Sequence, residues 1–103
     1  MSNKNQKDNK SAPVSETLTY KGKPLVRKGD VICFGDAQAD DYILTLNIRE
    51  KKKLNGAEVA SNVLILIQSS DVNSKEIVKF GEKDSLYEAF EIGEIWLESF
   101  LKH

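Results

Sequence analysis

The pair Asn55-Gly56 is the feature that most constrains how this chain of 103 residues can fold. Asn-Gly is the preferred pair for a two-residue type I′ turn, and runs with the two-residue apolar period of strands lie on both sides of it. If Leu54 pairs with Ala57, every facing pair on one side of the hairpin is aliphatic. These pairs are Ile48 with Val63, Leu46 with Ile65, and Leu44 with Ile67. Because a slip of one residue would move all of them to the other face, the sequence predicts this register.

Further strands and one helix are predicted along the rest of the chain. Apolar alternation and turn residues predict strands near 18–20, 25–27, 31–34, 41–52 and 58–69, and residues 76–80 are a candidate for a last strand. Pro24 cannot donate a ladder hydrogen bond, so we expect its strand at a sheet edge. Ser85 and Glu88 have the spacing of a capping box, and an apolar stripe of helical period follows them to Leu101. The expected fold is α+β: an antiparallel β-meander of four to five strands with one C-terminal amphipathic helix packed on one face.

Two helix residues carry expectations about packing. Gly93 costs roughly 1 kcal/mol relative to alanine inside a helix, and the expected compensation is close approach to the strands beneath it. Trp96 falls on the same apolar stripe, so we expect it between helix and sheet as the largest contributor to the core.

Composition indicates one domain preceded by a polar segment. Residues 1–17 are mostly Asn, Lys, Gln, Asp and Ser, which bury too little apolar surface to offset the entropy of ordering. We therefore expect a disordered tail over 1–17 and a single α+β domain over 18–103. Cys33 is the only cysteine, and no stretch has the apolar length of a secretion signal or a membrane span. A cytoplasmic protein without a membrane partner is expected.

Two sets of apolar residues fall outside the predicted core. The run from Val63 to Ile67 is apolar throughout, which places Ile43, Leu64 and Leu66 on the face opposite the aliphatic pairs. Monomeric proteins usually keep such patches small, so the N-terminal hairpin, a curled sheet or a second subunit should cover this one. Tyr87 and Ile95 fall among the helix glutamates. They are candidates for a protein contact, although single exposed apolar residues are ordinary.

The charge distribution suggests nucleic-acid binding as an alternative. The net charge is −1, with about +4 before residue 57 and about −5 after it. Four cations cluster toward the hairpin tip and could contact phosphates: Arg49, Lys51, Lys52 and Lys53. The order of elements is similar to that of small single-strand-binding coactivator proteins, but no motif supports that similarity. A charged hairpin tip that serves only solubility is the competing interpretation.

The residue types present give little support for an enzyme. His103 is the sole histidine and the last residue, so Cys33 has no histidine partner in an ordered segment. Asp36, Asp40 and Asp41 crowd one loop but do not have EF-hand spacing, and no phosphate-binding glycine motif occurs. We therefore assign no catalytic, cofactor-binding or metal-binding residues and expect a protein that is not an enzyme.

Several segments carry a resemblance to a known group of proteins. They are residues 20–27 (YKGKPLVR), Tyr42 with the aliphatic strand after it, residues 86–90 (LYEAF) and residues 95–97 (IWL). Together they resemble a group of small uncharacterised proteins of Gram-positive, clostridia-like bacteria. The resemblance implies a bacterial cytoplasmic protein and transfers no site residues.

The expected function is a small binding or adaptor module that acts through protein contacts, with a homodimer as one form of it. Nucleic-acid binding through the basic hairpin surface is the alternative.

Overall fold

Six antiparallel strands and one C-terminal helix make up the computed structural model, which describes residues 15–102. The strands are β1 (Ser15–Tyr20), β2 (Lys23–Lys28), β3 (Val31–Phe34), β4 (Tyr42–Leu54), β5 (Ala57–Ser69) and β6 (Ile77–Lys83). Helix α1 spans Leu86–Leu101. Neighbouring strands in the sheet are consecutive in the chain, so the sheet is a meander. The α+β class is confirmed.

The strand count is six where four to five were expected. The first strand is also longer than predicted, because β1 is paired with β2 from Ser15 opposite Lys28 to Tyr20 opposite Lys23. Residues 15–17, expected in the polar tail, therefore belong to the edge strand of the sheet. Residues 1–14 of the expected polar tail lie outside the described residues.

The predicted register of the long hairpin is confirmed. Leu54 faces Ala57, and the aliphatic pairs on the core face are those derived from the sequence. Asn55 and Gly56 have φ values of 54° and 84°, as a type I′ turn requires at both central positions. The pairing shifts by one residue between Ile48 and Glu50 and shifts back between Glu50 and Lys51. The residue pairs on both sides of this irregularity therefore follow the same register.

The expectation that Pro24 lies on an edge strand is wrong. β2 is paired with β1 on one side and β3 on the other. The Pro24 carbonyl accepts from the Gly35 N–H at 3.1 Å, just past the end of β3. In an antiparallel sheet the N–H and C=O of one residue point toward the same neighbouring strand. The missing N–H of Pro24 would therefore face Gly35, beyond the end of β3, so β3 loses no ladder hydrogen bond.

The core lies between α1 and one face of the sheet. The long hairpin supplies most of it, and Ile32 and Phe34 of β3 extend it toward the N-terminal strands. The most deeply buried aliphatic side chains are Leu44, Leu46, Val63, Ile65, Ile67 and Leu97. Ser85 caps the helix, since its side chain accepts from the Glu88 N–H.

Gly93 lets the helix approach the hairpin closely, as expected. A Cβ at this position would lie 2.6 Å from Leu44 Cδ1 and 3.2 Å from Ile65 Cγ2. Both neighbours are fully buried, so neither side chain can turn away into solvent. The absence of a side chain at Gly93 therefore fixes the helix-to-sheet distance.

Gly93→Ala should lower the free energy of unfolding even though alanine favours helix. Overpacking costs about 1–3 kcal/mol and exceeds the propensity gain of about 1 kcal/mol, which leaves a net loss near 1 kcal/mol. Urea unfolding followed by circular dichroism measures the difference. Ser99→Ala, at an exposed helix position, is the control and should be neutral or slightly stabilising. A net gain for Gly93→Ala would show that the strands can yield.

Trp96 lies between the helix and β6 but is only half-buried, which corrects the expectation that it dominates the core. A Cβ added to Gly81 of β6 would lie 2.8 Å from Trp96 Cη2, so the glycine makes room for the indole. Lys79 places its ammonium 4.6 Å from the ring centroid. β6 is the last strand of the sheet, so no further strand covers the outer part of the ring.

Candidate interaction surfaces

The face of the sheet opposite α1 is open among residues 15–102. The helix contacts β4, β5 and β6 from the other side. The N-terminal strands continue the sheet edge to edge instead of folding over Leu64 and Leu66. Of the covers expected from the sequence, the N-terminal hairpin is therefore not the one used.

Register places a row of mainly apolar side chains across this open face. Val26, Cys33, Leu66 and Phe80 belong to this row, and Thr45 of β4 stands between Cys33 and Leu66. Flanking rows add two of the predicted contact residues, Ile43 opposite Gln68 and Leu64 opposite Asn47. We call these six apolar residues the open-face patch: Val26, Cys33, Ile43, Leu64, Leu66 and Phe80.

Exposure within the open-face patch increases toward β6. Leu64 and Leu66 are half-buried by their neighbours on the sheet, whereas Phe80 is 70% exposed. Phe80 could not be assigned to this face from the sequence, because nothing in the sequence defines the register of the last strand. Its place beside Leu66 follows only from the pairing of β6 with β5 in the structure.

Two polar side chains of the open face are hydrogen-bonded to each other, and a thiol lies beside them. Thr45 Oγ1 donates to Gln68 Oε1 at 2.8 Å, and the Cys33 thiol lies 4.0 Å from the same hydroxyl. Burying the Thr45 hydroxyl under a partner would therefore cost little, because it already has a hydrogen-bond acceptor.

The basic hairpin cluster is partly neutralised within the sheet. Arg49 forms an ion pair with Glu82 at 3.1 Å, and Lys51 forms one with Asp30 at 2.9 Å. Hydrogen bonding to the Asp30 carboxylate raises the pKa of Lys51. Lys52 and Lys53 are exposed, but Lys53 stands opposite Glu58. The structure therefore intersperses the four cations with carboxylates.

Tyr87 and Ile95 lie on a different surface from the other predicted contact residues. They are 75% and 58% exposed on the outer side of α1. The turn between β1 and β2 packs beside them, because the Tyr20 ring makes edge contacts with Phe34 at 5.8 Å and Phe90 at 5.5 Å between centroids. Between the turn and the helix runs a groove of about 320 Å³, which we call the helix groove.

The helix groove combines apolar walls with carboxylates. Tyr20, Tyr87, Phe90 and Ile95 provide the walls. The carboxylates along it belong to Glu91, Glu94 and Glu98. Sequence reasoning assigned the glutamates to an exposed helix face and had no signal that the distant turn at Tyr20 would form the opposite wall.

Lys21 occupies one end of the helix groove through an ion pair with Glu94. Its Nζ lies 2.6 Å from Glu94 Oε2 and 5.5 Å from the centroid of the Tyr20 ring. This contact with the Glu94 carboxylate raises the pKa of Lys21, so the ammonium stays charged through the neutral range. Lys21 also has a φ of 53°, in the region that favours glycine, as its type I′ position requires.

Two of the three loop carboxylates, those of Asp36 and Asp40, are engaged in local structure. Asp36 accepts from the N–H groups of Gln38 and Ala39, and Asp40 forms an ion pair with Lys23. Among residues 15–102 no group of three or more His, Cys, Asp or Glu side chains is arranged to hold a metal ion. No helix in this part of the chain has the length and apolarity needed to cross a membrane.

No protein-family model matches the chain, and neither a curated protein nor a solved structure is significantly similar to it. Function must therefore be inferred from the two surfaces themselves.

Proposed function

We propose that the protein is a non-catalytic binding module that acts through protein contacts and that it self-associates through the open-face patch. One observation carries the proposal: an apolar row crosses the sheet opposite the helix and ends in Phe80, which is 70% exposed. Exposed apolar patches of this kind mark interaction surfaces on globular proteins.

The dimensions of the open-face patch suit a second copy of the same sheet. It spans five strands spaced about 4.8 Å apart and three register positions about 7 Å apart, or roughly 20 Å by 14 Å. Each face covers about 280 Å², so an interface of about 1,000 Å², the lower limit for a specific one, would also include the residues around the rim of the patch. Aligned packing of twisted sheets about 10 Å apart is the ordinary arrangement for two apolar sheet faces.

Charge also favours a second copy over a polyanion. The net charge is −1, so two copies repel each other little. At the border of the patch Glu82 accepts from both Arg49 and Asn62, which presents balanced charge to a partner. Nucleic-acid binding would instead need a contiguous positive surface, and the cations of the hairpin alternate with carboxylates.

Phe80→Lys should weaken self-association by at least about thirtyfold, since it places a charge at the most exposed residue of the open-face patch. Sedimentation equilibrium at micromolar concentrations measures the dissociation constant. Tyr87→Lys is the matched control, because this aromatic residue is equally exposed on the helix but lies off the patch. It should leave the dissociation constant unchanged.

A wild-type chain that stays monomeric throughout this range would refute the self-association. The alternative is tested by anisotropy of a labelled single-stranded DNA. Salt-sensitive binding that disappears when Lys52 and Lys53 are both replaced by glutamine would favour nucleic-acid binding instead.

A further inference from the structure

We propose that the helix groove binds an extended peptide segment of a partner protein that carries lysine or arginine side chains. This goes beyond the proposed self-association, because the groove lies on the helix side of the molecule and shares no residue with the open-face patch.

The walls of the helix groove are suited to a cationic side chain with an apolar stem. The rings of Tyr20, Phe34 and Phe90 contact one another edge to face with centroids 5.5 to 5.8 Å apart, so the wall at the β1–β2 turn is rigid. Tyr87 and Ile95 stand exposed along the other side. Aromatic faces attract ammonium and guanidinium groups, while the apolar surface packs against their methylene stems.

The carboxylates of the helix groove are spaced for a peptide in extended conformation. Glu91 and Glu98 are seven residues apart on one stripe of α1, or about 10 Å along the axis. In an extended polyproline II segment, side chains three residues apart point to the same side and are separated by about 9 Å. A segment with cations at positions i and i+3 can therefore place one beside each glutamate.

The chain itself shows how the helix groove holds a cation. The Lys21 ammonium sits between Glu94 Oε2 and the ring of Tyr20, at 2.6 Å from the oxygen and 5.5 Å from the ring centroid. No cationic side chain described in the structure lies within 4.0 Å of the Glu91 or Glu98 carboxylates. These two carboxylates therefore offer the same chemistry to an external ligand.

The test is anisotropy of a labelled seven-residue peptide with two lysines three positions apart and serine elsewhere, titrated with the full chain. Binding should be absent for the same peptide with glutamate in place of lysine. Glu91→Gln and Glu98→Gln should each weaken binding about fivefold, and Tyr87→Ala should weaken it by a similar factor. Glu58→Gln makes the same charge change at the hairpin, away from the groove, and should have no effect.

Lys21→Asn tests the proposal in the opposite direction, because it should strengthen peptide binding. Asparagine tolerates the positive φ of the turn, and the substitution frees Glu94, so peptide affinity should rise severalfold.

Failure of the lysine peptide to bind would overturn the proposal, as would equal effects of Glu58→Gln and Glu91→Gln, which would indicate diffuse attraction only. Replacing Lys4, Lys7 and Lys10 together by serine tests another occupant. Stronger peptide binding in that variant would assign the helix groove to the chain's own N-terminal lysines rather than to a partner.

Discussion

Leu46→Ala is expected to lower the free energy of unfolding by about 3 to 4 kcal/mol, whereas Leu66→Ala on the neighbouring strand should lower it by about 1 kcal/mol. Leu46 is 1% exposed and faces Ile65 in the core beneath α1. Leu66 is half-buried on the open face, where it stands opposite Thr45. The same chemical change thus removes a core side chain in one case and part of a surface patch in the other.

Urea unfolding at low protein concentration measures both variants in the monomer. The comparison also reports on self-association, because a dimer that buries Leu66 is stabilised by mass action. The cost of Leu66→Ala should therefore grow with protein concentration while that of Leu46→Ala stays constant. Equal costs for the two variants in the monomer would mean that the open face is covered within one chain.

The hairpin register could be derived from the sequence because both signals are local. A turn pair that accepts positive φ and a run of alternating aliphatic residues specify which side chains face one another. The helix could be predicted equally well, since the Ser85 cap indicates where it begins and the apolar stripe indicates which side it buries. Even the close approach at Gly93 followed from the cost of glycine in a helix.

The open-face patch and the helix groove could not be predicted, because they depend on contacts that no local sequence pattern specifies. Phe80 joins Leu66 only through the register of β6, which a bulge near Ile67 offsets by one residue. The helix groove arises because the sheet curls until Tyr20 meets Phe90, residues far apart in the chain. The residues expected from the sequence to make protein contacts therefore divide between opposite sides of the molecule.

The second prediction with a large effect on stability concerns the packing of the helix against β6. Trp96→Ala should lower the free energy of unfolding by about 3 kcal/mol, toward the lower end for tryptophan truncation because the ring is only half-buried. The indole packs against Gly81, and its removal leaves a gap between α1 and the last strand. Chemical denaturation followed by far-ultraviolet circular dichroism is the measurement, and Trp96→Phe, which keeps an aromatic ring, should cost much less.

A double-mutant cycle tests whether this contact, rather than Trp96 alone, holds β6 to the helix. Gly81→Ala alone should cost about 1 to 3 kcal/mol, since its Cβ would lie 2.8 Å from Trp96 Cη2. In the Trp96→Ala background the same change should be neutral or stabilising, because alanine is better than glycine within a strand. The expected coupling is at least about 1 kcal/mol. Additive effects would show that the two residues do not touch and that β6 is held to the helix by other residues.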